Sequence, residues 1–176
     1  MSRRPCVARS RVAETDSCQA RAITRSPRRS ALDLPCWSQA SQDVKRKANG
    51  VFILVERDTP SVVLGYYTLC ATSLDQGDVP AAARKRVPRY PLVSATLVGR
   101  LAVAQARQGE GLGGLLLADA VRRAYASADI VGSSMLVGDA INDRAAAFYE
   151  EHGFVRLPDS LRLVLPMRAI QRLMEP

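Results

Sequence analysis

Histidine and cysteine are scarce in this sequence of 176 residues. Its single histidine is His152, and the cysteines Cys6, Cys18, Cys36 and Cys70 show no spacing typical of metal ligands. The sequence therefore disfavours a metal centre, and we expect a protein that works without a bound metal. His152 precedes a glycine that is expected to end a helix, where a polar or cationic residue suits the helix C-terminus.

Long apolar runs are also missing. No stretch approaches the ~18 apolar residues of a membrane span, and residues 1–30 have no apolar segment of the kind found in secretory signals. A hydrophobic fraction of 47% in 176 residues fits one globular domain with a sizeable core. We therefore expect a soluble, cytoplasmic protein with no membrane partner.

The formal net charge of +8 is distributed unevenly. Residues 1–50 carry 11 Lys or Arg against 4 Asp or Glu, whereas residues 51–176 carry 14 against 13. The larger part of the chain is thus almost neutral, and the overall charge does not by itself indicate nucleic-acid binding. What remains is a local basic cluster of four residues, Arg84, Lys85, Arg86 and Arg89.

Hydrophobic periodicity separates a basic head from a folded domain. Residues 1–36 show no helix or strand period and are predicted to be disordered, and residues 37–176 are predicted to form the domain. The patterns predict strands over residues 51–57, 62–72, 95–104, 133–137, 154–155 and 161–167, and helices over residues 37–48, 112–126 and 144–151. The order along the chain, in which strands come first and then alternate with helices, predicts an α/β fold with a mixed sheet.

The helix over residues 112–126 is amphipathic. Leu116, Ala120 and Ala124 form an apolar row that is expected to face the core. Three charged residues of the same helix are predicted to lie toward solvent, namely Asp119, Arg122 and Arg123.

The most informative stretch runs from Arg100 to Ala118 and reads RLAVAQARQGEGLGGLLLA. An apolar strand leads into glycines at alternate positions, Gly109, Gly111 and Gly113, and a helical pattern follows at once. The first N–H groups of a helix lack internal partners and carry partial positive charge, so they favour phosphate. Glycines let the backbone approach such a ligand. The stretch therefore predicts a site for a phosphate-bearing cofactor.

Two interpretations of this loop compete. Gly109-x-Gly111-x-x-Gly114 fits the dinucleotide fingerprint, but Asp139 follows about 30 residues on, where that fingerprint needs an acidic residue after about 20. Alternatively, Gln108-x-x-Gly111-x-Gly113, preceded by an apolar strand, resembles the acetyl-CoA pyrophosphate loop of the GNAT N-acetyltransferases. The second signature of that superfamily, FYE-x-x-GF, is matched from Phe148 to Phe154. Two signatures in the right order make the resemblance specific.

The resemblance covers about residues 37–170 and implies the GNAT fold, a mixed central sheet that splays open, flanked by helices, with acetyl-CoA in the gap. It implies that strand residues 101–103 offer backbone N–H groups to the acetyl carbonyl, and that the glycine loop holds the pyrophosphate. Asn142 either contacts the pantetheine arm or caps its helix. The implied cofactor-binding residues are Leu101, Ala102, Val103, Gln108, Gly109, Gly111, Leu112, Gly113 and Asn142. Tyr149 is the expected general acid for the departing thiolate, with a core aromatic as the alternative.

Several phrases are similar to the GNAT toxins of bacterial toxin–antitoxin pairs: VLGYYTL from Val63, VGRLAV from Val98, GLGGLLLADA from Gly111 and LVLPM from Leu163. This resemblance implies acetylation of the α-amino group of aminoacyl-tRNA, which stops translation. It also implies a ribbon-helix-helix antitoxin as partner and allows a homodimer. Members of that group begin with a strand and an amphipathic helix, whereas this chain begins with the Arg-rich head.

The substrate expectation has chemical support. The amine of an aminoacyl ester should have a pKa no higher than about 7.7–8.0, so a substantial neutral fraction exists near pH 7. The motifs show no obvious Glu or His base, which suits such an amine better than a lysine. The cluster Arg84, Lys85, Arg86 and Arg89 would meet tRNA phosphates, with Arg122 and Arg123 as additions.

Three alternatives stay open. The enzyme could acetylate a protein N-terminus, a lysine or a small polyamine. The chain could be a non-catalytic CoA-binding partner or corepressor of an antitoxin. The altered N-terminus could also prevent folding altogether.

Overall fold

The computed structural model describes residues 48–56, 59–60, 62–79, 81–84 and 90–174. The predicted helix over residues 37–48 falls outside them except at its last residue, and so do the head and the basic residues Lys85, Arg86 and Arg89. The described strands are β1 (Gly50–Val55), β2 (Val63–Asp75), β3 (Leu92–Val103), β4 (Met135–Asp139), β5 (Val155–Arg156) and β6 (Arg162–Pro166). The described helices are α1 (Ala81–Arg84), α2 (Leu112–Val131), α3 (Asp143–Glu151) and α4 (Met167–Met174), with a 3-10 turn at Gln105–Arg107.

The described strands form one mixed sheet in the order β1-β2-β3-β4-β6-β5. β3 and β4 are parallel neighbours, joined by the crossover helix α2, and the other neighbouring pairs are antiparallel. The last two predicted strands are present as an antiparallel pair, with Val155 opposite Val164. The expected mixed α/β sheet is confirmed as well.

A β-bulge at Gly99 shapes the centre of the sheet. Thr68 lies opposite Arg100, but the next residue of β2, Leu69, lies opposite Val98, so Gly99 is an extra residue in β3. Thr68 Oγ1 accepts a hydrogen bond from the Arg100 N–H at 3.0 Å, which satisfies a donor at the bulge. Bulges bend the strand that contains them. We infer that this one turns β3 away from β4.

The two faces of the sheet carry different cores. The larger core lies between the sheet and α2, α3 and α4, and includes Tyr67, Leu116, Leu136 and Ile170. A smaller cluster lies on the other face. Successive side chains of a strand point to opposite faces, so β4 contributes Leu136 to the first core and Met135 and Val137 to the second.

Local signals explain where the helices begin and end. Asn142 caps α3, because its Oδ1 accepts the Ala145 N–H at 2.9 Å, so the predicted capping role is confirmed. His152 follows the last turn of α3, and its Nδ1 donates to the Phe148 carbonyl at 2.8 Å, which confirms its expected place at the helix C-terminus. Helix α2 runs to Val131, five residues beyond the prediction, and stops at Gly132 with φ 66°.

Two expectations about the helices were wrong. The strand predicted over residues 161–167 ends at Pro166, and Met167 begins helix α4, which the sequence analysis missed. Its buried residues are Met167 and Ile170, and a helix of 8 residues is too short for a firm periodicity argument. Asp119, predicted to face solvent, is only 7% exposed, because Tyr67 of β2 and two arginines of its own helix supply donors for its carboxylate.

Candidate active site

A gap opens between β3 and β4. The two strands are paired from Ala95 with Met135 to Val98 with Gly138, and β3 then continues to Val103 with no partner strand on that side among the described residues. The predicted splay of the sheet is thus present, and it begins directly after the bulge at Gly99.

Backbone direction decides which β3 groups face the gap. The Arg100 N–H donates to Thr68, and the Ala104 N–H donates to the Leu64 carbonyl at 2.8 Å, so both face β2. Because N–H groups alternate along a strand, those of Leu101 and Val103 face the gap. The Ala102 backbone faces β2, where its carbonyl lies 2.7 Å from the Cβ position of Gly65. The structure therefore aims two of the three predicted strand residues into the gap.

The glycine loop lies at the start of α2. Gly109 and Gly111 have φ values of 83° and 77°, which favour glycine, and apart from their chain neighbours no described residue comes within 4 Å of either Cβ position. The first backbone hydrogen bond at the start of α2 is from the Leu115 N–H to the Gly111 carbonyl, so the N–H groups of Leu112, Gly113 and Gly114 have no partner within the described helix. This cradle of donors suits a phosphate group.

The next two glycines, Gly113 and Gly114, lie against the end of helix α3. A Cβ at Gly113 would lie 3.6 Å from the Phe148 ring, and one at Gly114 would lie 3.2 Å from His152 Nε2. Both side chains belong to the end of α3, whose aromatic residues pack against the first turn of α2. Gly113 is therefore beside the phosphate cradle, and a Cβ there would make only an ordinary van der Waals contact with Phe148, whereas one at Gly114 would be tight against His152.

Side chains flanking the loop are already paired. Gln108 Nε2 donates to the Val103 carbonyl at 3.3 Å, which joins the loop to the end of β3. Arg107 Nε lies 2.8 Å from Glu110 Oε1, and its Nη1 lies 3.6 Å from Glu56 Oε1. Arg107 thus has two carboxylates as partners.

Tyr149 lies against the strand that borders the gap. A Cβ at Gly138 would be 2.9 Å from Tyr149 Cε1 and 3.1 Å from Cζ, so the ring rests on Gly138, the last β4 residue paired with β3. Phe148 and Phe154 flank the ring with edge contacts at centroid distances of 5.6 and 5.2 Å. Burial, and then the charge of Asp139, raise the pKa of Tyr149 to about 12. Its hydroxyl therefore keeps its proton at neutral pH.

A carboxylate that the sequence analysis did not assign to the site also lies at this point. Asp139 is the first β4 residue beyond the last β3–β4 pair. Its Oδ1 and Oδ2 accept hydrogen bonds from Arg162 Nε at 2.7 Å and Nη2 at 3.0 Å, and both side chains are about two-fifths exposed. The sequence signal for Asp139 is an acidic residue at the end of a buried strand. From the sequence, this residue is considered only as the acidic residue of a dinucleotide fingerprint.

The predicted tRNA-contacting residues are described in part. Arg84 ends the short helix α1 and donates to the carbonyls of Gly77 at 2.6 Å and Val79 at 3.1 Å, so its guanidinium fastens its own loop. Arg123 is held by Asp119 at 2.7 Å and lies 4.5 Å above the Phe52 ring. Arg122 is paired with Asp119 at 2.6 Å.

The described residues lack a metal-binding cluster and a membrane-spanning helix. No group of three or more His, Cys, Asp or Glu side chains there is arranged to hold a metal ion. No helix within the described ranges is long and apolar enough to cross a membrane.

The geometry and the sequence agree on one family. Residues 48–156 match the acetyltransferase (GNAT) domain family. This match covers more than half of the chain, and the protein belongs to the GNAT acetyltransferases.

Two relatives that match the chain are toxins by name. A tRNA-acetylating toxin of Mycobacterium tuberculosis (strain ATCC 25618 / H37Rv) is 38% identical over 107 residues, which are 60% of this chain and 63% of that protein. The chain thus spans slightly less than two thirds of that relative. A probable toxin TacT of Sinorhizobium fredii (strain NBRC 101917 / NGR234) is 30% identical over 132 residues, covering 70% of this chain and 72% of that protein.

Solved structures with the same fold carry ligands. AtaT complexed with acetyl-methionyl-tRNA superposes with a TM-score of 0.71 and 29% identity, over 77% of this chain and 81% of that chain. A mutant AtaT toxin bound to the C-terminus of the antitoxin AtaR and to acetyl-CoA superposes with a TM-score of 0.64 and 26% identity, over 77% of this chain and 78% of that chain.

Proposed function

We propose that this protein is a toxin that transfers the acetyl group of acetyl-CoA to the α-amino group of aminoacyl-tRNA and so blocks translation. The observation that carries the proposal is that the Gln108–Val103 hydrogen bond joins the glycine cradle to the end of β3, while the Tyr149 ring rests on Gly138, where the pairing of β3 with β4 ends. The likeness to a tRNA-acetylating toxin and to AtaT with an acetylated aminoacyl-tRNA supports the choice of substrate.

The cradle and the gap fit acetyl-CoA. The donors of Gly109, Gly111, Leu112 and Gly113 would take the pyrophosphate, and Gln108 would hold this loop against β3. The N–H groups of Leu101 and Val103 would then face the thioester carbonyl, where negative charge develops during attack. Ala102 would contribute as part of the wall, because its backbone is turned toward β2. The Asn142 carbonyl oxygen is used in the cap, which leaves its amide N–H₂ as the group for the pantetheine arm.

The reaction joins nitrogen to carbon and releases sulfur. The neutral α-amine attacks the thioester carbon, the C–N bond forms, and the C–S electrons leave with the sulfur. Nitrogen loses one proton to water, and the sulfur gains one. Tyr149 would act as the general acid for this step. With its pKa at about 12, complete transfer to a thiolate with an ordinary pKa of about 8.5 is uphill. The hydroxyl therefore acts chiefly by donating a hydrogen bond to the departing sulfur.

Two macromolecular partners are proposed, tRNA and an antitoxin. The segment between β2 and β3, which contains Arg84, Lys85, Arg86 and Arg89, is the most basic part of the domain and would meet tRNA phosphates. Arg122 and Arg123 are less suited because both are paired with Asp119. An antitoxin partner is supported by the AtaT structure that contains the C-terminus of AtaR. We propose that this antitoxin is of the ribbon-helix-helix type and that the toxin acts as a homodimer.

Labelled acetyl-CoA and charged total tRNA test the proposal. The wild type should place label on the aminoacyl end, and Tyr149→Phe should reduce the rate about 10²-fold, within the range for loss of a general acid. Tyr125→Phe is the matched control, because Tyr125 is half-buried on α2 and should not affect transfer. Label on free lysine or polyamine but not on tRNA would favour the other acetyltransferase alternative. Acetyl-CoA binding without transfer to any amine would favour the corepressor alternative.

A further inference from the structure

The cofactor and the amine must reach the gap from opposite faces of the sheet. The glycine cradle begins α2 and Tyr149 belongs to α3, and both helices pack on the face that holds the larger core. A thioester whose pyrophosphate lies in the cradle therefore enters the gap from the helix face. Since the thioester chain occupies that side, the attacking nitrogen approaches from the other face.

Asp139 lies on that other face. Along β4, Leu136 and Gly138 face the helices, while Met135 and Val137 belong to the smaller cluster on the opposite side. Alternation places the Asp139 side chain with this second set. Its partner Arg162 lies on the same face, because the next residue of β6, Leu163, packs in the larger core on the helix face and successive side chains alternate. The pair thus lies at the mouth of the gap, where β4 has already separated from β3.

We propose that Asp139 binds and orients the attacking amine, and that Arg162 holds the carboxylate in position. The inference rests on the proposed acetyltransferase function and adds the acceptor side of the site. A carboxylate has about four lone-pair positions, and Arg162 uses one on each oxygen. The remaining positions can accept an N–H of the amine, and the partial exposure of the Asp139 side chain leaves them accessible.

The arginine also resolves an electrostatic difficulty. A bare carboxylate beside the amine would raise the amine pKa and keep the nitrogen protonated, which prevents attack. Arg162 offsets this charge, so Asp139 can orient the amine without strongly favouring the ammonium form. Two further titratable groups interact electrostatically with this pair: Asp78, which follows β2, interacts with Arg162, and Tyr149 interacts with Asp139 from the helix face.

Two variants separate an orienting role from a purely structural ion pair. Asp139→Asn should lower kcat about 10²-fold, as expected for a misplaced nucleophile, with the KM for acetyl-CoA unchanged. It leaves Arg162 facing the amine, so the apparent pKa in the kcat/KM profile should fall. Arg162→Gln leaves the carboxylate uncompensated, so that pKa should rise. The control is Asp143→Asn, which removes an exposed ion pair of similar length, 2.8 Å, between Asp143 of α3 and Arg156 of β5, and it should leave the rate and the pH profile unchanged.

The full-length variants are assayed on charged tRNA, and circular dichroism and acetyl-CoA binding confirm that they fold. A wild-type rate and an unshifted profile in Asp139→Asn, or equal losses of Tm in both variants with no opposite pKa shifts, overturn the inference while leaving the proposed function intact. A wild type that acetylates a small amine but not tRNA overturns the proposed substrate, and the same variants then decide the inference with that amine. A wild type that acetylates no amine overturns both.

Discussion

The buried network around Asp119 offers a quantitative test of how α2 is fastened to the sheet. Tyr67 is fully buried in β2, and its hydroxyl donates to Asp119 Oδ2 at 2.6 Å. Arg122 and Arg123 donate to the same carboxylate at 2.6 and 2.7 Å. Tyr67→Phe removes one donor and leaves both arginines in place. A hydrogen bond to a charged group contributes about 1.5–3 kcal/mol, so the free energy of unfolding should fall by about that amount.

Thermal and urea unfolding measure this change. For a chain of this size 1 kcal/mol corresponds to about 2–4 °C, so Tm should fall by about 3–12 °C. Tyr125→Phe is the control, since Tyr125 is half-buried on α2 and donates no hydrogen bond to a described residue, and its unfolding free energy should stay within about 0.5 kcal/mol of the wild type. If Tyr67→Phe behaved like this control, the network would not stabilise the fold as argued.

The same network predicts a direction with pH. Burial would raise the pKa of Asp119, but hydrogen bonds from Arg123, Tyr67 and Arg122 together outweigh it, and the pKa lies below its ordinary value. The stabilisation is therefore present above the unfolded-state pKa of about 3.9 and is lost as pH falls through the lower folded-state pKa. The difference between wild type and Tyr67→Phe should persist at pH 7 and shrink below about pH 4. A difference that grew on acidification would contradict the assignment.

Three further outcomes are expected. Gly138→Ala should displace the Tyr149 ring, because Cε1 of the ring would lie 2.9 Å from the new Cβ. We expect kcat to fall at least tenfold while acetyl-CoA still binds. An unchanged kcat would show that the ring position does not matter. Gly111→Ala should weaken acetyl-CoA binding in calorimetry more than Gly113→Ala does, because only Gly111 has positive φ, and the reverse order would refute the cradle. The transfer rate should rise with pH as the amine loses its proton and then stay level to about pH 10, because Tyr149 with a pKa of about 12 remains protonated; a fall between pH 8 and 10 would point to another acid.

Much of the site was readable from local sequence because its parts are local. The glycines after an apolar strand predicted the cradle, and Gly109 and Gly111 do adopt the positive φ values that such a loop needs. Asn142 was recognised as a cap because capping depends on residues within one turn. The glycine loop and the helix cap both depend on local backbone preferences, which the sequence of each segment determines.

Helical periodicity alone misplaced Asp119. The pattern put this acid on the polar side of α2, yet Tyr67, 52 residues earlier in the chain, supplies the donor that lets its carboxylate be buried. No property of the helix reports a donor on a distant strand. Burial of a charge is decided by its tertiary partners.

Sequence by itself determined the class of protein, the cradle and the candidate acid Tyr149, because short motifs encode turns, caps and backbone donors. Tertiary structure decided which backbone groups face the gap, since the bulge at Gly99 and the pairing with Thr68 set the alternation of β3. It also brought Asp139 of β4 and Arg162 of β6 together on the face opposite Tyr149. Strand order and register create that neighbourhood, and neither can be read from one segment of the chain.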